Sequence, residues 1–335
     1  MKILLTGCAG FIGMHVAKIL LDRGDNIIGI DSLNEYYDPS LKNSRLNELL
    51  KYKNFTFYKV DIADQYAIED IFSKEKPQRV INLAAQPGVR YSITNPYPYV
   101  QSNVVGFLNI LEGCRNNNTE HLVFSSSSSV YGSNTSMPFS TQDNVDHPLS
   151  LYAATKKANE LMAHSYSHLY SLPVTGLRYF TVYGPWGRPD MSPWLFTSAI
   201  LEGREINIFN DGNMKRDFTF VEDIAEGTVA ALDKLPLGNE NYSTINPDPS
   251  SSLAKYKIYN IGNSEPEKLM DFIGELEKNL GKVAKKKYLP LQPGDVIETF
   301  ADTSDFENNI CEIKKTKLST GVEKWIQWYK TYHKI

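Results

Sequence analysis

Gly7-Cys-Ala-Gly10-Phe-Ile-Gly13 stands where the apolar run Lys2–Thr6 gives way to an amphipathic segment. A strand that turns on glycine straight into a helix leaves few folds open. Gly7 can take the turn, Gly10 lets backbone come close to a pyrophosphate, and Gly13 lets the helix lie close on the sheet, with Phe11 and Ile12 at its N-terminus. A tight turn without a ligand would use the same glycines, but the strand before and the helix after favour a phosphate cradle.

The alternation continues along the first half. Lys2–Thr6, Asn26–Ile30, Phe55–Val60, Arg79–Leu83, His121–Ser125 and Val174–Tyr179 read as buried strands, each beside a segment of helical period. Such strands pair in parallel through right-handed crossovers and take helices on both faces. The expected fold is α/β: a Rossmann-type, doubly wound parallel sheet over residues 1–180, joined by part of 217–235, with a smaller, mixed α/β substrate domain over 181–335. In the second part helices are expected near Pro193–Glu202, Glu265–Leu280 and Thr320–Tyr332, while Asp223–Leu232 packs back on the first. Asn241–Ser252 has the composition of a mobile surface loop.

The 335 residues carry a net charge of −4, which gives no electrostatic case for nucleic acid or an anionic membrane as partner. Lys285-Lys-Lys287 reads as a solvated face. No apolar stretch approaches bilayer length, and the one at the start is too short for a signal peptide. Cys8, Cys114 and Cys311 lack C-x-x-C spacing, so neither a disulfide framework nor a zinc cluster is expected, and a reducing, cytoplasmic setting fits. His164 and His168 share a helix face with no carboxylate cluster in the sequence beside them, and no metal is expected there.

Asp31, at the end of the second strand, is placed to take both hydroxyls of an adenosine ribose. A 2′-phosphate would meet like charge, which favours NAD over NADP. Asp61, closing the third strand before Ile62, can reach the adenine amino group or cap the helix that starts near Asp64. After the fourth strand, the small Ala84 and Ala85 beside Leu83 leave room for the cofactor. Tyr152 and Lys156 are four apart and share one helix face. A tyrosine is a poor base at neutral pH, but a lysine cation and a positive nicotinamide ring both favour its phenolate, and Lys156 can also hold the nicotinamide ribose. Such a pair also arises by chance on ordinary helices. A serine at the end of the adjacent strand would complete it by bonding the substrate oxygen, and Ser125-Ser-Ser-Ser-Ser-Val-Tyr-Gly132 offers several.

The GxxGxxG spacing, with the later tyrosine and lysine, resembles the extended short-chain dehydrogenase/reductase family over nearly the whole chain. In that pattern the active serine lies five before the glycine of V-Y-G, so Ser127, Tyr152 and Lys156 are implied as the catalytic set. Relatives that dehydrate or decarboxylate nucleotide sugars carry Asp-Glu or Glu just before V-Y-G. Here Ser128 and Ser129 stand instead, so simple epimerisation is implied. The segment from Asn213 to Ile224 resembles the family's site for nucleoside diphosphate sugars, with Arg216 on the diphosphate. Gln292-Pro-Gly-Asp295 resembles the later one, with Asp295 on the uridine ribose, although many members have Arg where Gln292 stands. Phe209 would lie against uracil or else belong to an apolar core strand.

Arg178-Tyr-Phe-Thr181 through Arg188 to Met191, and Pro87-Gly-Val-Arg90-Tyr-Ser92, resemble UDP-glucuronate 4-epimerases, whereas UDP-galactose 4-epimerases usually have Asn after R-Y-F. The resemblance implies a UDP-sugar substrate whose carboxylate meets Ser128, Thr181, Arg188 and, less directly, Arg90. Each arginine can instead brace a loop through backbone carbonyls. Two other readings stay open: a 4-epimerase of neutral UDP-hexoses or their N-acetyl forms, and a non-catalytic NAD-binding regulator. In this family helices matching Asn95–Asn116 and Tyr152–Leu169 pair across a two-fold axis, which implies a homodimer.

Overall fold

The computed structural model describes residues 1–291 and 297–335. Its sheet is built from β1 (Lys2–Thr6), β2 (Asn26–Asp31), β3 (Phe55–Lys59), β4 (Arg79–Asn82), β5 (His121–Ser127), β6 (Val174–Tyr179) and a seventh strand, Tyr256–Ile261. All pair in parallel, in the order Tyr256–Ile261, β6, β5, β4, β1, β2, β3. The order reverses between β1 and β4, so a crevice opens beyond their C-terminal ends. Both faces are covered, which is why the strands read as apolar runs rather than as alternating ones. On one face helix α1 (Phe11–Asp22) and the helix Val221–Asp233 bury Met14, Leu20, Ile224 and Leu232 with Leu5 and Ile81. On the other, Gly106–Asn116 and Leu151–Tyr170 bury Phe107, Ile110 and Ala163 with Leu122 and Phe124.

A second lobe has its own core of Ile206, Ile208, Phe218, Phe272 and Trp325. It holds the helices Ser192–Glu202, Leu269–Leu280 and Leu318–His333. The strand Glu205–Phe209 pairs in parallel with Lys285–Leu289, in which Lys285 and Lys287 are exposed while Lys286 is half-buried and paired with Glu277. The division at residue 180 is crossed more often than the sequence suggested. Val221–Asp233 packs on the sheet, and Tyr256–Ile261 joins it, pairing with β6 from Tyr256 against Val174 to Ile261 against Tyr179.

Other boundaries move for local reasons. The helix expected from Glu265 begins at Leu269, because Glu267 and Lys268 pair with Arg216 and Lys215. The expected Asn95–Asn116 helix contains a π-helical stretch, Val100–Val105, before its regular part Gly106–Asn116. β5 runs two residues beyond Ser125, with Ser126 against Arg178 and Ser127 against Tyr179. In the Asn241–Ser252 segment Ile245 is 95% exposed, whereas Ser250, Ser251 and Ser252 are buried. No helix among the described residues is long and apolar enough to cross a membrane.

Candidate active site

The first turn after β1 is shaped by backbone contacts. Gly7 sits at φ 70°, donates to Ile30 O at 2.7 Å and accepts from Gly10 N at 2.9 Å. A Cβ on Gly7 would meet Ala84 N at 2.8 Å, and one on Gly13 would lie 2.0 Å from Gly7 O. No side chain larger than glycine fits at either place. Gly10 is the N-cap of α1 and supplies no side-chain cap, so the helix presents its N-terminal end to the crevice. Asp31 closes one side: its Oδ2 accepts from Ala9 N at 3.1 Å and its Oδ1 from Leu33 N at 2.9 Å. Burial raises its carboxyl above the usual carboxylate range, against the pull of those amides and of Lys42. Turn, helix end and acid together have the shape and charge of a dinucleotide cradle.

Asp61 and Ile62 lie on the same wall. Asp61 Oδ1 accepts from Ala63 N at 2.9 Å, while the N-cap of the helix Gln65–Glu75 is Asp64, through Ala67 N. The capping role left open for Asp61 is therefore taken by its neighbour. Leu83, Ala84 and Ala85 also line the cavity, where Ala84 N donates to Thr6 Oγ1 at 3.1 Å.

The cavity, about 250 Å³, continues from this cradle to Ser127, Tyr152 and Lys156. Ser150 caps the helix Leu151–Tyr170 through Ala153 N, which sets Tyr152 and Lys156 in its first turns. Each serine of β5 has a separate partner. Lys156 Nζ donates to Ser125 O at 2.8 Å and to Ser125 Oγ at 3.1 Å. Ser126 Oγ donates to Glu160 Oε1 at 2.6 Å, and Glu160 is held in a buried ion pair by Arg178, Nε to Oε1 at 2.8 Å. Ser127 accepts from Ser129 N at 3.2 Å, and its hydroxyl favours the Tyr152 phenolate.

Burial dominates the electrostatics of this end. It pushes the Lys156 ammonium down to about 7. It raises the Tyr152 phenol, and the Ser127 hydroxyl and the charge of Arg188 pull it back only in part. The sequence pointed to Lys156 as the cation acting on this tyrosine; in the structure the charge that draws it downward is that of Arg188, on the 184–191 loop. Tyr152 also meets the ring of Tyr99 edge-on at 6.1 Å.

The residues expected around the sugar are less gathered. Arg188 lines the cavity and pairs with Asp190, Nε to Oδ1 at 3.0 Å, rather than with backbone carbonyls. Ser128 follows Ser127 in a short 3₁₀ turn, and Thr181 follows the cavity residue Phe180 in a short strand against Phe218; both are partly exposed. Arg90 lies 5.0 Å over the ring of Phe209, so these two candidates sit together at the end of Glu205–Phe209. Arg216 donates to the carbonyls of Lys215 and Ile297 at 2.8 and 3.1 Å. Asp295 and Gln292 lie outside the described residues.

Several neighbours escaped sequence reasoning. Ser32, Asn34, Tyr36 and Lys42 line the cavity, following Asp31 in a segment without a recognisable pattern. Asn103, in the π-helical stretch, accepts from Gln86 N at 2.7 Å and donates to Thr155 Oγ1 at 3.0 Å, tying the β4 loop to the Tyr152 helix. Nothing short of the fold announces it.

Comparison with known proteins gives a consistent picture. The NAD dependent epimerase/dehydratase family matches residues 3–262. Protein CapI of Staphylococcus aureus is 55% identical over 100% of both chains. UDP-glucuronate 4-epimerase 4 of Arabidopsis thaliana is 45% identical over 99% of this chain and 76% of its own. Among solved structures, UDP-glucuronic acid 4-epimerase from Bacillus cereus, in complex with UDP-glucuronic acid and NAD, aligns with a TM-score of 0.88 at 34% identity, covering 99% of this chain and 100% of that one.

Proposed function

The chain belongs to the NAD dependent epimerase/dehydratase family, and from that premise we propose that it is an NAD-dependent 4-epimerase converting UDP-glucuronate to UDP-galacturonate through a 4-keto sugar. The observation that carries this reading is the single cavity joining the glycine turn and Asp31 to Ser127, Tyr152 and Lys156, in a chain with hydroxyls, not acids, at 128 and 129.

NAD fits the cradle: Gly7, Gly10 and Gly13 leave room for the pyrophosphate against α1, Asp31 takes the adenosine ribose, and Asp61 and Ile62 bound the adenine. When bound, it supplies the acceptor and donor for the C4 hydride. Tyr152 takes the proton of the C4 hydroxyl and returns it after the sugar has turned its other face. Ser127 shares that proton and orients the oxygen. Lys156, whose ammonium burial brings down to about 7, bonds the nicotinamide ribose and, in its protonated form, supports the phenolate.

A 4-keto sugar with a C6 carboxylate is a β-keto acid, which loses carbon dioxide once the C5–carboxylate bond aligns with the carbonyl π system. Ser128, Thr181 and Arg188 hold the carboxylate away from that alignment, and serines at 128 and 129 provide no acid to protonate an enolate. Arg216 and Asp295 belong to the diphosphate and the uridine ribose. Phe209 stacks on uracil, and its cation neighbour Arg90 goes with it rather than with the carboxylate. Exposed Val100, Leu108, Leu161 and Leu169 on the two long helices support a homodimer through a four-helix contact. Unpaired Cys8, Cys114 and Cys311 suit the cytoplasm, and an acidic nucleotide sugar suits polysaccharide biosynthesis.

The test is product identification. Purified protein incubated separately with UDP-glucuronate and UDP-glucose should form UDP-galacturonate from the first; turnover confined to the neutral sugar overturns the reading. Thr181→Ala should release a UDP-pentose, and unchanged products from that variant would remove the account of the carboxylate.

A further inference from the structure

The loop that carries Arg188 is held by bonds the reaction itself does not use. Gly184 and Trp186 both sit at positive φ, 139° and 65°, a region that costs a tryptophan and not a glycine. Trp186 is kept there from the other lobe, through three successive carbonyls. Pro185 O accepts from His15 Nε2 at 3.0 Å. Trp186 O accepts from Arg45 Nε at 3.1 Å and from one terminal nitrogen, Nη2, at 2.6 Å, and Gly187 O accepts from the same nitrogen at 3.3 Å.

The other terminal nitrogen of Arg45, Nη1, donates to Ala9 O at 3.2 Å and to the Tyr37 hydroxyl at 2.6 Å. Ala9 lies within the glycine turn, and His15 lies on α1 just after it. Arg45 is fully buried, and placing a guanidinium there is worthwhile only where its several fixed donors are needed together.

We propose that Arg45 and His15 are positioning residues that clasp the 184–188 loop to the cofactor turn, so that Arg188 faces the cavity it shares with Tyr152. The proposal rests on the reading of Tyr152 as the base. Asp190 completes the alignment, binding Arg188 and accepting from the Tyr36 hydroxyl at 3.0 Å. Because Arg188 draws the Tyr152 phenol downward, a loosened loop reads out as a tyrosine that titrates higher. Any shift of Ala9 is transmitted to the same carbonyls, so the state of the cradle and the aim of Arg188 are linked.

The experiment compares Arg45→Lys, His15→Phe and His15→Gln, purified with NAD bound and checked for wild-type circular dichroism. Lysine keeps a charge but not the fork that spans both loops; glutamine keeps a donor for Pro185 O. Tyr152 is followed by ultraviolet difference titration, subtracting Tyr152→Phe in each background. We expect Arg45→Lys and His15→Phe to titrate higher by roughly one pH unit and to lose about tenfold in kcat at neutral pH with a smaller change in KM. His15→Gln should recover to within about threefold of wild type. Folded variants with unchanged titration and kcat overturn the proposal, as does a His15→Phe defect that His15→Gln fails to relieve. Should Arg45→Lys not fold, the two His15 variants decide. A shifted titration in protein that leaves UDP-glucuronate untouched supports the clasp and counts against the substrate alone.

Discussion

The glycine turn and the 184–191 loop face each other across one cavity and are held in opposite ways. In the turn, the chain folds on itself: Gly7 bonds Ile30 and Gly10, and any Cβ on Gly13 would strike Gly7 O. In the loop, a tryptophan occupies a backbone region that suits glycine and is kept there by His15 and Arg45, over 140 residues away along the chain. Local covalent geometry builds the first; long-range side-chain bonds build the second. The cradle is thus rigid by composition, while the sugar end depends on the packing of two lobes against each other.

Changing the base that both regions face should have the largest effect. Tyr152→Phe keeps the ring and removes the proton carrier, so kcat should fall by about 10²–10⁴-fold while bound NAD, measured after denaturation, stays at the wild-type level. A variant that epimerises normally would leave neither region with a reaction to serve, and a wild type as inactive as the variant would favour a regulator. Gly13→Ala attacks the turn itself: overpacking of this kind costs about 1–3 kcal/mol or more, and NAD should be lost on purification. Wild-type NAD content and melting temperature in that variant would show the turn to be pliant and erase the contrast.

An acid titration compares the regions through two histidines. Burial pushes both His15 and His121 down to about 4 from an ordinary 6.5. The unfolded chain therefore takes up their protons first, so each one's stabilisation is complete above about pH 6.5 and is lost as pH falls towards 4, about 3 kcal/mol apiece. His121 bonds Leu232 O and Thr175 inside the sheet. His121→Gln and His15→Gln should each flatten the denaturant-derived stability profile across that window; parallel profiles for variant and wild type would refute it. Asp190→Asn has the smallest expected effect, because the Arg188–Asp190 pair is partly exposed; a loss of about fivefold or less in kcat/KM is expected. A much larger loss would mean that Asp190 alone, without the clasp, aims Arg188.

What was legible in the sequence follows the same contrast. Gly7, Gly13 and Asp31 could be assigned because their residue types answer to backbone shape and charge within one βαβ unit. Tyr152 and Lys156 were visible as a helical pair, and Ser127 through its place in the V-Y-G pattern. Tyr256–Ile261 was hidden by the polar stretch before it, although its apolar residues suit an edge strand covered by helices. Arg45 looked like an ordinary helix residue, since its acceptors are carbonyls, and carbonyls have no sequence signature. Asn103 depends on a π-helical turn that no periodicity reveals. Arg90 and Phe209 were each singled out, but their contact joins segments far apart in the sequence.

The serine tract at the end of β5 has a further consequence. Ser125, Ser126 and Ser127 each bond a different group, and beyond them Val130 and Tyr131 are sealed in, Tyr131 stacked on Phe139 at 4.3 Å and donating to Asn260 at 2.6 Å. Deleting one serine would leave hydroxyls at all three strand positions yet drag that anchor one place backwards, out of its slot. Such a monotonous run is thus constrained in its length more than in its spelling, and mutations that add or remove a copy should be the ones it cannot survive.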